Sequence, residues 1–448
     1  MAKSMTQGSP LKLILQFALP LLVGNIFQQT YNIVDAAIVG RYLGTKALAG
    51  VGASSSVQFL VIGFCTGTCC GFGIPIAQRF GAKDYKTMHA CMFHAGLLTV
   101  IAAVVLTITC AFLCPTILHM LSTTDDIYQD AYIYLLILFI GIPFTLLYNL
   151  LSAILRAVGD SKTPFMFLVF STVLNVLLDL FCIIILKWGC AGAAIATITA
   201  QACSGILCYI YIKKNFSILK LSKQDCQINK NVMLIMISMG IPMGLQYSIT
   251  AIGSMVMQSA NNGLGSVYVS GFTAGMRIKQ FAMCPFDAIA TAVSTFCGQN
   301  LGAGKIKRID KGLTEGIIAS ILYGLFAGTI LIFFGGILST IFMSADETDV
   351  LAASAKYLRC LGFFYWALGI LNVCRMSIQG LGYPGRAIFS GFVEMVARIV
   401  VSKVFVPIYG FTAICFADQS AWISAVLYVV PTCFLCLRKI KATRKECL

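Results

Sequence analysis

The chain has 448 residues, of which 58% are apolar and only 11% are charged. Soluble globular domains contain about 25% charged residues, so this composition excludes a water-soluble enzyme, a disordered chain and a small disulfide scaffold. The formal net charge is +15. Because the basic residues are spread over many short segments between apolar stretches, they do not indicate a nucleic-acid partner.

Long uncharged stretches recur along the chain, and a helix needs about 20 such residues to cross the hydrocarbon core of a bilayer. The first stretch is too long for the core of a signal peptide, which has about 7–15 residues, so we interpret it as a retained helix. Clusters of turn-forming and charged residues divide the chain into twelve predicted membrane-spanning helices: 11–40, 52–78, 88–117, 128–155, 164–186, 190–212, 231–260, 268–297, 313–341, 351–378, 386–407 and 413–437.

The charges between these helices predict the orientation of the chain in the membrane. With both termini cytoplasmic, the inner segments contain 22 Lys and Arg residues, and the outer loops contain only Arg41, Lys46 and Lys187. This bias follows the positive-inside rule. We therefore expect a multi-pass protein of the plasma membrane with both termini in the cytoplasm.

The two halves of the chain repeat each other. The motif Gln-x-x-Gly-Ala follows the second helix at 78–82 and the eighth helix at 299–303, and further matches occur at similar offsets. Six helices in each copy predict parallel repeats, a common plan of secondary transporters. The sequence thus predicts two pseudo-symmetric six-helix lobes around a central cavity: an N-lobe at 1–212, a basic cytoplasmic linker at 213–230 and a C-lobe at 231–448.

Two carboxylates lie within apolar helices of the predicted N-lobe, Asp35 in the first and Asp179 in the fifth, with Asn175 one turn before Asp179. An ionisable group at the centre of a membrane helix costs about 2.5–3.5 kcal/mol, so such groups usually face a cavity and have a function. Two carboxylates in a cavity could share a proton, and their oxygens would also suit Na⁺. The alternative is that both form salt bridges to Arg277 or Lys279 and only hold helices together.

Several motifs together resemble one family. Leu19-Pro20, Tyr31-Asn-Ile-Val-Asp35 and Val39-Gly40 are similar to the first helix of multidrug and toxic compound extrusion (MATE) transporters, and Asn175-Val-Leu-Leu-Asp179 is similar to the fifth. The resemblance covers essentially the whole chain. It implies that the first helix bends at Pro20 during cation binding; the alternative is a static kink.

The resemblance also assigns candidate residues. It implies that Asp35, Asn175, Asp179 and Thr197 form the cation-coupling site, which holds H⁺ or Na⁺, with no other metal or cofactor. Further candidates line or support the substrate cavity, and they are Gln28, Tyr31, Tyr134, Gln246 and Arg277.

The predicted C-lobe lacks an equivalent acidic pair. By the repeat, Asp35 corresponds to Met257, Asn175 to Glu394 and Asp179 to Arg398. Glu394 and Arg398 are four residues apart, so we expect them to form a local ion pair. Coupling is therefore expected in the N-lobe.

No enzyme signature or nucleotide-binding motif is apparent, so transport would depend on an ion gradient. The sequence and the resemblance predict an antiporter that exports amphipathic organic cations by alternating access and works as a monomer. The alternatives are a flippase for a lipid-linked saccharide in a related superfamily and a membrane protein without transport activity.

Overall fold

The computed structural model describes residues 3–120, 123–343 and 346–446, and the described residues are helical without strands. Helices satisfy every internal backbone hydrogen bond, which an apolar chain requires in a lipid environment. The predicted all-α membrane architecture is confirmed. The remaining positions of the predicted lobes, 1–2, 121–122, 344–345 and 447–448, lie outside the described residues.

Fourteen α-helices are assigned in the described part of the chain. Their bounds are Pro10–Leu43 (α1), Thr45–Gly81 (α2), Tyr85–Met120 (α3), Asp125–Ile140 (α4), Ile142–Ala157 (α5), Lys162–Leu180 (α6), Gly189–Asn215 (α7), Lys230–Asn262 (α8), Ser266–Gly302 (α9), Ile306–Ser339 (α10), Thr348–Gly380 (α11), Pro384–Val400 (α12), Val406–Tyr409 (α13) and Phe411–Glu446 (α14). Single π-helical turns extend α6 at Phe181–Ile185 and α12 at Val401–Phe405.

The helices account for ten or eleven of the twelve predicted membrane spans. Among the described residues, ten helices are long and apolar enough to cross a bilayer, or eleven if α4 and α5 form one span. Those two helices are bent by 48° at Gly141, where we predicted one continuous helix. Pro143 lies at the start of α5 and has no N–H to continue the α4 ladder.

The eleventh predicted span corresponds to α12 and the π-helical turn after it. α12 has 17 residues and contains Arg386, Glu394 and Arg398. A helix of this length with three charged side chains is not among the ten that are long and apolar enough to cross a bilayer. Its buried face nevertheless includes Glu394 and Arg398, so the charges point into the protein.

The chain divides into two compact units. Unit 1 contains Val23–Gly244 and the residues before Met5, and unit 2 contains Met5–Leu22 and Leu245–Leu448. The predicted lobes assigned whole helices to each half, whereas here α1 and α8 each contribute to both units. Pro20 and Pro242 lie inside these two helices, each three residues before the helix enters the other unit.

Unit 1 is built around α2, which packs against α4 and α5, while α6 packs against α7. Its core includes Cys69, Phe72, Ile76 and Leu146. The predicted linker is part of this unit, because residues after α7 dock on α3. His89 Nε2 lies 2.8 Å from the carbonyl oxygen of Ile218.

Unit 2 is built around α11, which packs against α9, α10 and α14. Aromatic side chains fill its core, including Phe286, Tyr365 and Trp422. Glycines allow α10 and α11 to approach closely, since a Cβ on Gly328 would lie 2.4 Å from the carbonyl oxygen of Gly362. Small residues at such contacts are typical of membrane helix packing.

Candidate coupling site

Asn175 and Asp179 project from one face of α6. They are four residues apart, so they lie one helical turn from each other, and their exposed fractions are 3% and 0%. The rest of α6 is largely apolar, from Phe165 to Leu180. The helix therefore delivers one amide and one carboxyl group to the interior of unit 1.

Asp35 of α1 meets Asp179. Their side chains lie close enough to each other to share a hydrogen bond. Oδ1 of each carboxyl group is buried and accepts no hydrogen bond from any other described residue. The contact brings together two acidic groups that lie 144 positions apart in the sequence.

Tyr31, one turn before Asp35, completes the α1 side of the site. Its hydroxyl lies 3.4 Å from Oγ1 of Thr197 on α7. The Asn175 amide satisfies its neighbours when its nitrogen donates to Asp179 Oδ2 at 3.1 Å and to the Tyr31 hydroxyl at 2.6 Å. In this orientation its oxygen accepts the Thr197 backbone N–H at 2.9 Å.

Tyr134 of α4 lies beside the two acidic residues. It is 4% exposed, and it lies within electrostatic range of both Asp35 and Asp179. Four helices of unit 1 thus contribute to one polar cluster. The structure brings together six predicted residues there: Tyr31, Asp35, Tyr134, Asn175, Asp179 and Thr197.

The other predicted residues lie elsewhere. Gln28 is exposed on α1. Gln246, Arg277 and Pro20 belong to unit 2. Gln246 is 4% exposed and accepts a hydrogen bond from Gln379 Nε2 at 2.5 Å; Arg277 is half-buried on α9.

The salt-bridge alternative for the acidic pair is not supported for Lys279. Its Nζ is 2.6 Å from Asp418 Oδ2, so its charge is already paired in unit 2. Among the described residues of unit 1, no ion pair includes Asp35 or Asp179. The two carboxyl groups therefore face each other without a cationic side chain from their own unit.

Unit 2 contains a buried chain of ion pairs, most of which the sequence analysis missed. Arg398 lies 3.5 Å from Glu394, which confirms the predicted local pair. Glu394 also contacts Arg375 at 2.5 Å, and Arg398 contacts Asp418 at 3.1 Å. With Lys279 at the other end, positive and negative groups alternate through five side chains. The charged residues within the predicted eighth, tenth and twelfth spans could have indicated these ion pairs.

An all-helical chain with repeated halves and a cluster of carboxyl groups inside its membrane helices defines the class: a polytopic membrane transporter. A family model described as MatE matches the chain twice, at 20–181 and at 242–404. The two matches begin at Pro20 and Pro242 and have nearly equal lengths, which confirms the predicted repeat. The chain belongs to the MATE family, a family of transporters rather than of enzymes.

Relatives and solved structures agree with this assignment. The chain is 32% identical to the probable multidrug resistance protein YpnP of Bacillus subtilis over 85% of each chain. It is 24% identical to the probable multidrug resistance protein NorM of Thermotoga maritima, over 94% of this chain and 89% of that one. A structure described as an outward-facing conformation of a multidrug resistance MATE family transporter matches with a TM-score of 0.92, 20% identity and 98% coverage of both chains. At this identity the structural match shows a shared fold.

Proposed function

We propose that this protein is a secondary active efflux antiporter that exports amphipathic organic cations in exchange for H⁺ by alternating access. It works as a monomer in the plasma membrane, with both termini in the cytoplasm. The observation that supports this proposal best is the contact between the Asp35 and Asp179 carboxyl groups inside unit 1. The multidrug names of the relatives support the substrate class.

The contact between Asp35 and Asp179 favours a proton as the coupling ion. Two carboxyl groups can share a hydrogen bond only if one of them is protonated. When both are ionised they repel each other, and more strongly in a low-dielectric interior than in water. Binding of one proton therefore stabilises the contact, and its release destabilises it, so protonation can bias the position of α1 relative to α6.

Na⁺ is the alternative coupling ion, and we give it second place. The carboxyl oxygens of Asp35 and Asp179 and the hydroxyl of Thr197 are suitable ligands for a hard cation. The Asn175 amide, however, directs its N–H groups toward Asp179 and Tyr31 and engages its oxygen with Thr197. N–H donors repel a cation, and the engaged amide oxygen cannot serve as its ligand, so this orientation disfavours Na⁺ at the site.

The test is efflux of ethidium from proteoliposomes under an imposed proton gradient or an imposed sodium gradient. We expect proton-driven efflux for the wild type, loss of efflux for Asp35→Asn and Asp179→Asn, and partial activity for Asp35→Glu. Asp84→Asn is the matched control, because Asp84 lies in the turn between α2 and α3, away from the site.

Each other outcome has a definite meaning. Efflux driven only by sodium would replace H⁺ by Na⁺ in the proposal. Normal proton-driven efflux by folded Asp35→Asn would refute the role of the acidic pair. Absence of efflux by the wild type under both gradients would contradict the exporter, and a lipid-scrambling assay would then test the flippase alternative.

A further inference from the structure

The accessible face of α9 is polar over most of its length. Seven residues at spacings of three, four and seven fall on this face, and each is exposed or half-buried: Ser270, Thr273, Arg277, Gln280, Asp287, Thr291 and Ser294. Charged groups that face hydrocarbon cost about 2.5–3.5 kcal/mol near the bilayer centre. An accessible polar face on a membrane helix is therefore expected to line water.

Asp287 is the carboxylate of this face. It lies near the middle of the 37-residue α9, which corresponds to the depth at which transporters usually bind their substrates. Its side chain is exposed although its neighbour Phe286 is fully buried. A carboxylate at this depth is thus available to a ligand.

A second helix orients the Asp287 carboxylate. Nδ2 of Asn372 on α11 donates a hydrogen bond to Asp287 Oδ1 at 3.3 Å. This contact engages Oδ1 and leaves Oδ2 for another donor. The amide thus fixes the direction of the carboxylate without neutralising it.

The basic side chains of unit 2 do not neutralise Asp287 directly. Arg375 is nearby, but its Nη2 is bonded to Glu394 at 2.5 Å. Arg277 is ten residues away on α9, or about 15 Å along the helix. Among the ion pairs formed by the described residues of unit 2, none includes Asp287.

We propose that Asp287, oriented by Asn372, binds the positively charged nitrogen of the transported molecule. This inference rests on the proposed export of organic cations and adds the residue that recognises their charge. A protonated amine donates a charge-assisted hydrogen bond to the free carboxylate oxygen, and such bonds are about twice as strong as neutral ones. Charge recognition in unit 2 is then separate from proton binding at Asp35 and Asp179 in unit 1.

The test measures binding of two probes to the purified full-length protein in nanodiscs by fluorescence anisotropy. One probe is a dansyl alkylamine, which is positively charged, and the other is its neutral N-acetyl derivative. We expect the wild type to prefer the charged probe at least tenfold. Asp287→Asn should lose this preference while binding the neutral probe with unchanged affinity, and Asp287→Glu should retain it. The matched control is Asp310→Asn, since Asp310 is a half-buried residue paired with Lys441.

The neutral probe separates recognition from folding, because a misfolded variant would lose both probes together. Persistent preference for the charged probe in Asp287→Asn would overturn the inference, and so would a wild type without that preference. Asp35→Asn should keep the preference even though it no longer couples export to a gradient. If the wild type prefers the charged probe but shows no gradient-driven export, the proposed function is contradicted and the role of Asp287 in charge recognition is not.

Discussion

The buried ion-pair chain of unit 2 depends most on Asp418. This carboxylate is 1% exposed, and it accepts hydrogen bonds from Lys279 at 2.6 Å, Arg398 at 3.1 Å and Tyr357 at 3.0 Å. We predict that Asp418→Asn lowers the free energy of unfolding by about 3–5 kcal/mol, the usual cost when one partner of a buried pair is removed. The reason is that Lys279 then stays buried without its carboxylate.

Arg398→Met should cost less, about 1–3 kcal/mol, the range for a buried polar partner left unsatisfied. After this change Asp418 still has Lys279, and Glu394 still has Arg375. Every remaining charge therefore keeps one direct partner. The geometry thus predicts the order of the two effects as well as their size.

The double variant Lys279→Met/Asp418→Asn tests the cause. If the loss in Asp418→Asn comes from an unpaired lysine, removal of Lys279 should restore about 1 kcal/mol or more, a coupling within the range for residues in direct contact. If the loss comes only from packing, the double variant should be less stable than either single variant.

The assay is unfolding of the purified protein from mixed micelles by SDS, followed by tryptophan fluorescence, since Trp422 is buried in this unit. Asp310→Asn removes the exposed pair with Lys441 and should change stability by less than about 1 kcal/mol. Equal losses for Asp418→Asn and Arg398→Met, or no recovery in the double variant, would refute the reasoning.

Two further predictions concern unit 1. A Cβ on Gly71 would lie 2.5 Å from the Met239 carbonyl oxygen, so Gly71→Ala should destabilise the protein by about 1–3 kcal/mol. The control is Gly52→Ala in the same helix, which should leave stability unchanged because a Cβ there meets nothing within 4 Å. Equal midpoints of SDS unfolding for the two variants would contradict this prediction. Asp84 Oδ1 accepts the Thr87 N–H at 3.1 Å at the start of α3, so Asp84→Ala should cost about 1 kcal/mol while Asp84→Asn retains the cap. Hydrogen bonds from Thr87 lower the pKa of Asp84. The stabilisation by this cap is therefore complete above about pH 4 and is lost as the pH falls through the lowered pKa. A stability difference between wild type and Asp84→Ala that persists unchanged below that pKa would contradict this prediction.

The membrane-spanning helices could be predicted from the sequence because the need for an apolar stretch long enough to cross the bilayer applies to each segment separately. A stretch such as α3 must be apolar over about 20 residues to cross a bilayer, whatever its neighbours are. The repeat was equally visible, since Gln-x-x-Gly-Ala occurs at matching places in both halves. The break at Gly141 was missed because hydropathy is continuous across it.

The candidate site was predictable only in part. Asn175 and Asp179 share a helix, and a spacing of four residues places them on one face whatever the fold. The contact of Asp179 with Asp35, and the position of Tyr31 against Thr197, join residues that no local rule connects. Family resemblance supplied the candidates, and the packing of α1, α6 and α7 brought them into contact.

By itself, the sequence determined a helical membrane protein with two repeated halves and acidic residues inside its helices, because hydropathy and helical periodicity are local properties. Tertiary structure alone decided which charges distant in the sequence are paired. Glu394 and Arg398 are neighbours on α12 and were predicted as a pair, whereas Lys279 and Asp418 lie 139 positions apart. The same distinction applies to Asp287, whose orientation by Asn372 depends on how α9 packs against α11. Side chains distant in sequence interact only when packing brings their helices together, and that packing depends on the whole chain.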